Sequence, residues 1–283
     1  MKNTLFTLKD IRVEITFKSF EELRNILFFY QRNNLYKINI PCKNSLKKDF
    51  LIESIKISKE EFPNLDIIPH FSIQHEFKRN KINTQNSLLN FLTFVESLGC
   101  KQVLLVSGSQ KRSTLDSVLA LYMLKDNSLF FNQDIFIGVA FNPYLPDILF
   151  DEEILRLEKK LQSGLVSSIW IQFGTDSNLL KSRMEIFSYL LSKTIYKNSK
   201  ISNIMLFGSV LIPSKQFLTR FKFRPWKGVY CSNEFLESVD FANILITELL
   251  ETYKQYKICP IIETDMTTED QLKKLKMTLN LKI

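Results

Sequence analysis

Eight short apolar runs recur along the chain, and each is followed by a stretch with helical spacing. The runs are residues 11–17, 35–41, 65–73, 102–108, 134–142, 167–174, 201–210 and 257–264. Most are β-branched and apolar at nearly every position, which suits parallel strands covered on both faces. Parallel neighbours need a crossover of a dozen or more residues, usually a helix. The stretches after the runs have that length: 20–31, 46–58, 84–99, 113–126, 151–164, 178–194 and 268–279. After the seventh run, a short helix near 214–221 and a longer one at 233–256 are expected. Strand and helix alternating eight times predict an α/β fold, a single (β/α)8 barrel spanning residues 1–283 as one domain. The competing topology is a doubly wound open sheet. It has no glycine-rich loop in its favour, because "TFKSFEEL" after the first run contains no glycine.

Local signals agree with these boundaries. Ser113 with Asp116 resembles a capping box, and Asp176 is placed to cap the helix after the sixth strand. Gly99 and Gly164 fall where helices end.

Composition narrows the function classes. With 45% hydrophobic residues, a chain of 283 can bury a large core. No run of about 18 apolar residues is present, and the N-terminus lacks the apolar block of a signal peptide. The expectation is a cytoplasmic protein without a membrane partner. The four cysteines, Cys42, Cys100, Cys231 and Cys259, form no CxxC pair and predict reduced, packed thiols. The net charge is +8, but the lysines are spread along helices rather than massed, so a nucleic-acid partner is not expected.

Barrel enzymes carry their chemistry at the C-terminal ends of the strands. The first run offers Glu14 and Thr16 there, the second Asn39, the third His70, Ser72 and Gln74. The fourth ends "SGSQ", with Ser107 and Ser109; the fifth gives Asn142 and the sixth Gln172 and Asp176. The seventh gives Gly208 and Ser209, the eighth Glu263, Thr264 and Asp265. Glu14 lies between apolar neighbours in "VEITF". Burial there would raise its pKa and make it a proton donor or base near neutrality; a lumen carboxylate paired with Lys37 is the structural alternative. His70 fits either a core position or a ligand contact. His75 and Glu76 belong to a solvated loop. With His70 they match no familiar zinc spacing.

Several of these strand ends resemble the methylenetetrahydrofolate reductase family. "VEITF" is similar to its first strand, "IPHFSI" to its "PHLTC", and "IGVAFNPYLPD" to "VAAYPEGHPEA". The longest match sets "EILRLEKKLQSG…IWIQFGTD" beside "L..LK.KVDAGA..ITQ.FFD". The likeness runs from about residue 11 to 212. It implies a cytoplasmic oxidoreductase of one-carbon metabolism and methionine biosynthesis. In it, FAD reduced by NADH or NADPH passes hydride to a small-molecule folate. Carried over, Glu14 is the acid that assists opening of the folate's bridging carbon, and Gln172 hydrogen-bonds the pterin. Asn39, His70 and Lys160 contact the flavin, Lys160 through its phosphates. Ser107 and Ser109 stand where the family's "RGD" has arginine and aspartate, so the charge beside the flavin ring is lost. That loss points to a second reading, a folate-binding barrel without redox chemistry. A third is an unrelated barrel lyase holding phosphate at "FGSVLIPSK" after the seventh strand.

Overall fold

A strand that is apolar on both faces must be covered on both, and a closed barrel wrapped by helices provides that cover. The computed structural model describes residues 6–42, 48–76, 80–108, 115–127, 130, 134–195, 203–264 and 266–279. In chain order the elements are β1 (Arg12–Glu14), α1 (Phe20–Arg32), β2 (Lys37–Ile40), α2 (Lys48–Glu61) and β3 (Asp66–Ser72). There follow α3 (Ile73–Glu76), α4 (Lys81–Ser97), β4 (Gln102–Val106), α5 (Ser117–Lys125), β5 (Phe136–Phe141) and α6 (Asp147–Gln162). The last third holds β6 (Val166–Ile171), α7 (Ser177–Ile195), β7 (Met205–Val210), α8 (Lys215–Phe223), α9 (Asn233–Glu237), α10 (Val239–Gln255), β8 (Ile258–Ile262) and α11 (Glu269–Thr278). The strands close in the order β1 to β8, all parallel, with Arg12 of β1 in register with Ile261 of β8. The expected (β/α)8 barrel is what forms, and the open sheet is excluded.

Alternation along each strand divides the core in two. Residues such as Val13, Ile38, Ile67, Val103 and Ile169 face the helices and join the large outer cluster. Ile68, Leu104, Trp170, Phe207 and Ile261 form a separate small cluster. These five fill the lumen. Gly138 makes room for them: a Cβ there would lie 2.4 Å from Trp170 Nε1 and 2.6 Å from Ser168 Oγ.

The helix ends follow the local signals. Asp176 Oδ1 accepts from Leu179 N at 2.8 Å, and Asp116 Oδ1 from Leu119 N at 3.0 Å. Ser113 lies outside the described residues, and the capping-box reading is corrected: α5 starts at Ser117, so Asp116 is itself the N-cap and not the third helical residue. Gly99 (φ 78°) and Gly164 (φ 76°) adopt the left-handed conformation just past α4 and α6, as glycine does after a helix. One boundary differs from expectation. The single helix expected over 233–256 is divided at Ser238, whose backbone is extended and whose Oγ caps α10 by accepting from Phe241 N at 3.1 Å. Among the described residues no helix is long and apolar enough to cross a membrane.

Candidate functional site at the C-terminal mouth

The site is built from the bottom of the lumen upward. Arg12 enters the lumen from β1 with 2% of its surface exposed. Its Nε donates to Asn39 Oδ1 at 2.9 Å, and one Nη donates to Asp66 Oδ2 at 2.5 Å. The other Nη donates to the carbonyls of Ile38 (3.1 Å) and Asp66 (2.9 Å). Its guanidinium also lies 5.9 Å from the centre of the Phe207 ring. A guanidinium can only donate, so this contact fixes which end of the Asn39 amide is oxygen. The Nδ2 end is left buried without a hydrogen-bond partner, on a residue with no exposed surface. Most buried polar groups are paired in a protein interior, so this amide is an exception set one layer beneath the mouth.

Glu14 sits directly above this layer. Its neighbour in register is Asn39, and Lys37 lies one pleat lower, in register with Asp66. The imidazole of His70 lies nearby at the mouth, its Nδ1 4.0 Å from Glu14 Oε2. The His70 ring meets Trp170 edge-on at 5.7 Å, and Trp170 packs on Phe207 at 4.6 Å. Trp170 Nε1 donates to Ser168 Oγ at 2.9 Å, and Ser168 Oγ also accepts from Gln102. The lumen below the mouth is thus filled by aromatic rings locked by hydrogen bonds. Above them Glu14 stays partly accessible, while His70 is buried against Trp170.

Gln172 follows β6 at the mouth, half-buried, with its N–H donating to the Phe141 carbonyl at 2.9 Å. Asn39, Glu14, His70 and Gln172 therefore all lie on strand ends of one rim. The other expected residues are placed differently. Ser107 Oγ accepts from Ser117 N at 2.9 Å and contacts Ser117 Oγ at 3.0 Å, so it ties β4 to the start of α5. Ser109 and Asp265 lie outside the described residues. Lys160 is buried between α6 and β5, donating from Nζ to the Ala140 carbonyl at 2.7 Å. Burial lowers its pKa, with Glu153 opposing that shift. Nearby, Arg156 pairs with Asp116 at 2.6 Å.

Other features escaped the sequence reading. His75, expected in a loop, belongs to α3, and its Nδ1 lies 3.6 Å from Cys42 Sγ. Ser209 Oγ donates to the Glu263 carboxylate, joining the ends of β7 and β8. The segment between β7 and α10 reaches across to the ends of β5 and β6. Asn142 Nδ2 donates to the Gly228 carbonyl at 2.8 Å, and Thr175 N to the Tyr230 carbonyl at 3.0 Å. Gly174 is required there, because a Cβ would fall 2.3 Å from the Tyr144 ring. Only the two-helix length of the segment was visible in sequence. Among the described residues no three His, Cys, Asp or Glu side chains gather as a metal site.

Fold and mouth together define a (β/α)8 barrel with a carboxylate–imidazole pair and a buried amide at the rim. No protein-family model matches the chain, and no curated protein matches it. Solved structures match over nearly the whole length. One is an uncharacterized protein from Clostridium thermocellum that binds two copies of 5-methyl-5,6,7,8-tetrahydrofolic acid. It is 11% identical with a TM-score of 0.62, over 95% of this chain and 93% of that one. An aldo-keto reductase from Klebsiella pneumoniae in complex with NADPH is 10% identical, TM-score 0.54, over 97% and 86%. A putative phosphonomutase from Burkholderia cenocepacia is 7% identical, TM-score 0.53, over 98% and 95%. At these identities the likeness establishes the barrel fold alone.

Proposed function

We propose that the C-terminal mouth of this barrel binds a reduced folate through its pterin ring. The observation that carries the reading is the partly accessible Glu14 carboxylate at the rim, 4.0 Å from His70 Nδ1 and in register with Asn39, which Arg12 holds from below. A pterin edge alternates hydrogen-bond donors and acceptors. A carboxylate from Glu14 and the two-way amide of Gln172, both partly accessible, form a complementary set. Trp170 offers an apolar floor on which a flat ring can rest. The matching structure that binds methyltetrahydrofolate supports this choice of ligand class.

The reductase reading comes second. What favours it is Glu14 itself, a half-buried acid near His70. From there it would protonate the nitrogen released when the folate's bridging carbon opens. The residues present do not fit FAD. Lys160 is committed to the Ala140 carbonyl, and Ser107 to Ser117, so neither offers the charge that a dinucleotide needs. A nicotinamide reductant, NADH or NADPH, is implied by the family resemblance alone.

Calorimetry with 5-methyltetrahydrofolate tests the binding reading. A Kd of about 10 μM or tighter is expected, with about tenfold loss in Gln172→Ala, a step of about 1.4 kcal/mol. Absence of heat at millimolar ligand would refute folate binding. A flavin absorbance spectrum on the purified protein, with uptake on reconstitution, would revive the reductase.

A further inference from the structure

The segment between β7 and α9 carries a surface that neither the barrel nor its mouth accounts for. Over residues 211–233, "LIPSKQFLTRFKFRPWKGVYCSN", there are five lysines and arginines and no aspartate or glutamate. Phe223, at the end of α8, is 87% exposed, and Trp226 and Tyr230 are 42% and 36% exposed. Arg220, Lys222, Arg224 and Lys227 alternate with these rings and are all exposed.

Its base is fixed. Leu218 and Phe221 are buried. Trp226 packs edge-on against Phe217 at 5.5 Å and Phe221 at 6.1 Å. Gly228 (φ 83°) turns the chain back, and Asn142 holds its carbonyl. Phe223 therefore projects from an anchored platform.

We propose that this platform docks the protein on an anionic lipid surface, with Phe223 entering the headgroup–acyl boundary and Arg220, Lys222 and Arg224 lying among the acidic headgroups. The chemistry is that of interfacial anchors: an exposed aromatic wedge, an indole beside it and flanking cations. The charge complementarity is local, since the nearest carboxylates in sequence, Glu234 and Glu237, lie on α9. Among the described residues Arg220, Lys222 and Arg224 form no ion pair with them. A spanning helix is not needed for such contact, so the absence of one is no obstacle. A single-stranded nucleic acid fits less well. It stacks bases on accessible ring faces along a groove, whereas Trp226 is packed on two phenylalanines and one lone ring projects.

The test is cosedimentation of the full chain with phosphatidylcholine vesicles, with and without phosphatidylserine. Binding is expected only with phosphatidylserine, weakening as salt rises. Phe223→Ala should lower partitioning about tenfold, and each of Lys222→Glu and Arg224→Glu at least about fivefold. All three sites are exposed, and an unchanged melting temperature checks that the variants fold. The proposal is overturned if phosphatidylserine vesicles are not bound, or if binding survives these substitutions. Two other results also overturn it. One is a single-stranded oligonucleotide that binds through the same residues in place of vesicles. The other is a dimer in sedimentation velocity that Phe223→Ala dissociates, which would give the patch to a second copy.

Discussion

Replacing Arg12 by methionine tests whether the lumen network orders the mouth. Methionine keeps an unbranched stem and removes the guanidinium, together with its contact 5.9 Å from the centre of the Phe207 ring. The ion pair itself contributes little, because the Asp66 carboxylate is 57% exposed and well screened. The main loss is at Asn39, where Oδ1 is fully buried and would keep no donor. An unsatisfied buried acceptor costs about 2 kcal/mol, and two weakened carbonyl contacts add about 1 kcal/mol. Arg12→Met should therefore destabilise the protein by about 3 kcal/mol. Urea unfolding measures this as a lower midpoint at unchanged slope. The double variant Arg12→Met/Asn39→Leu removes both partners and should recover about 1 kcal/mol. With Arg12 gone the Asn39 amide is free to flip, so affinity for the folate should also fall. A loss below about 1 kcal/mol, or a double variant no better than the single one, would refute the reasoning.

Three further outcomes follow from other parts of the fold. Gly174→Ala should cost about 2 kcal/mol or more, because its Cβ would overlap the buried Tyr144 ring; thermal unfolding reads it, and an unchanged melting temperature would show that the loop yields freely. Burial pushes the Cys100 thiol up to about 11 and the Cys231 thiol up to about 12, from 9.0. The unfolded chain loses these protons from pH 9 upward while the folded chain keeps them, so stability should fall as pH rises from 9 towards 11. Cys100→Ala should flatten that slope, and a slope identical to wild type would contradict the assignment. Ser238→Ala removes the cap that starts α10 and should cost about 1 kcal/mol in urea unfolding; no change would mean that packing alone holds the α9–α10 break.

Much of the mouth is legible in the sequence. Glu14 and His70 follow from strand parity, a property of neighbouring residues that survives any correct assignment of the strand, and Asn39 is the polar residue offered near the end of the second run. Gln172 was found as a polar residue ending an apolar run. Arg12 was not singled out, because nothing in "DIRVEITF" says that its partners are 26 to 54 residues away. Lys160 shows the opposite error. The family resemblance implies a cation for phosphate there, but the packing of α6 on β5 turns the ammonium to the Ala140 carbonyl.

The eight strands, the helix that follows each, the cap at Asp176 and the glycine stops at Gly99 and Gly164 are all readable from the sequence; α3, the N-cap role of Asp116 and the break at Ser238 are not. The readable features all depend on periodicity or on groups within a few residues. Tertiary structure alone decided the rest. Barrel closure brings β8 against β1, sets His70 beside Glu14, and leaves Asn39 one amide hydrogen pair short of a partner. It also carries the segment after β7 onto Asn142 and Gly174, 86 and 56 residues back in the chain from Gly228 and Tyr230. Such contacts depend on register and loop path, which no local pattern encodes.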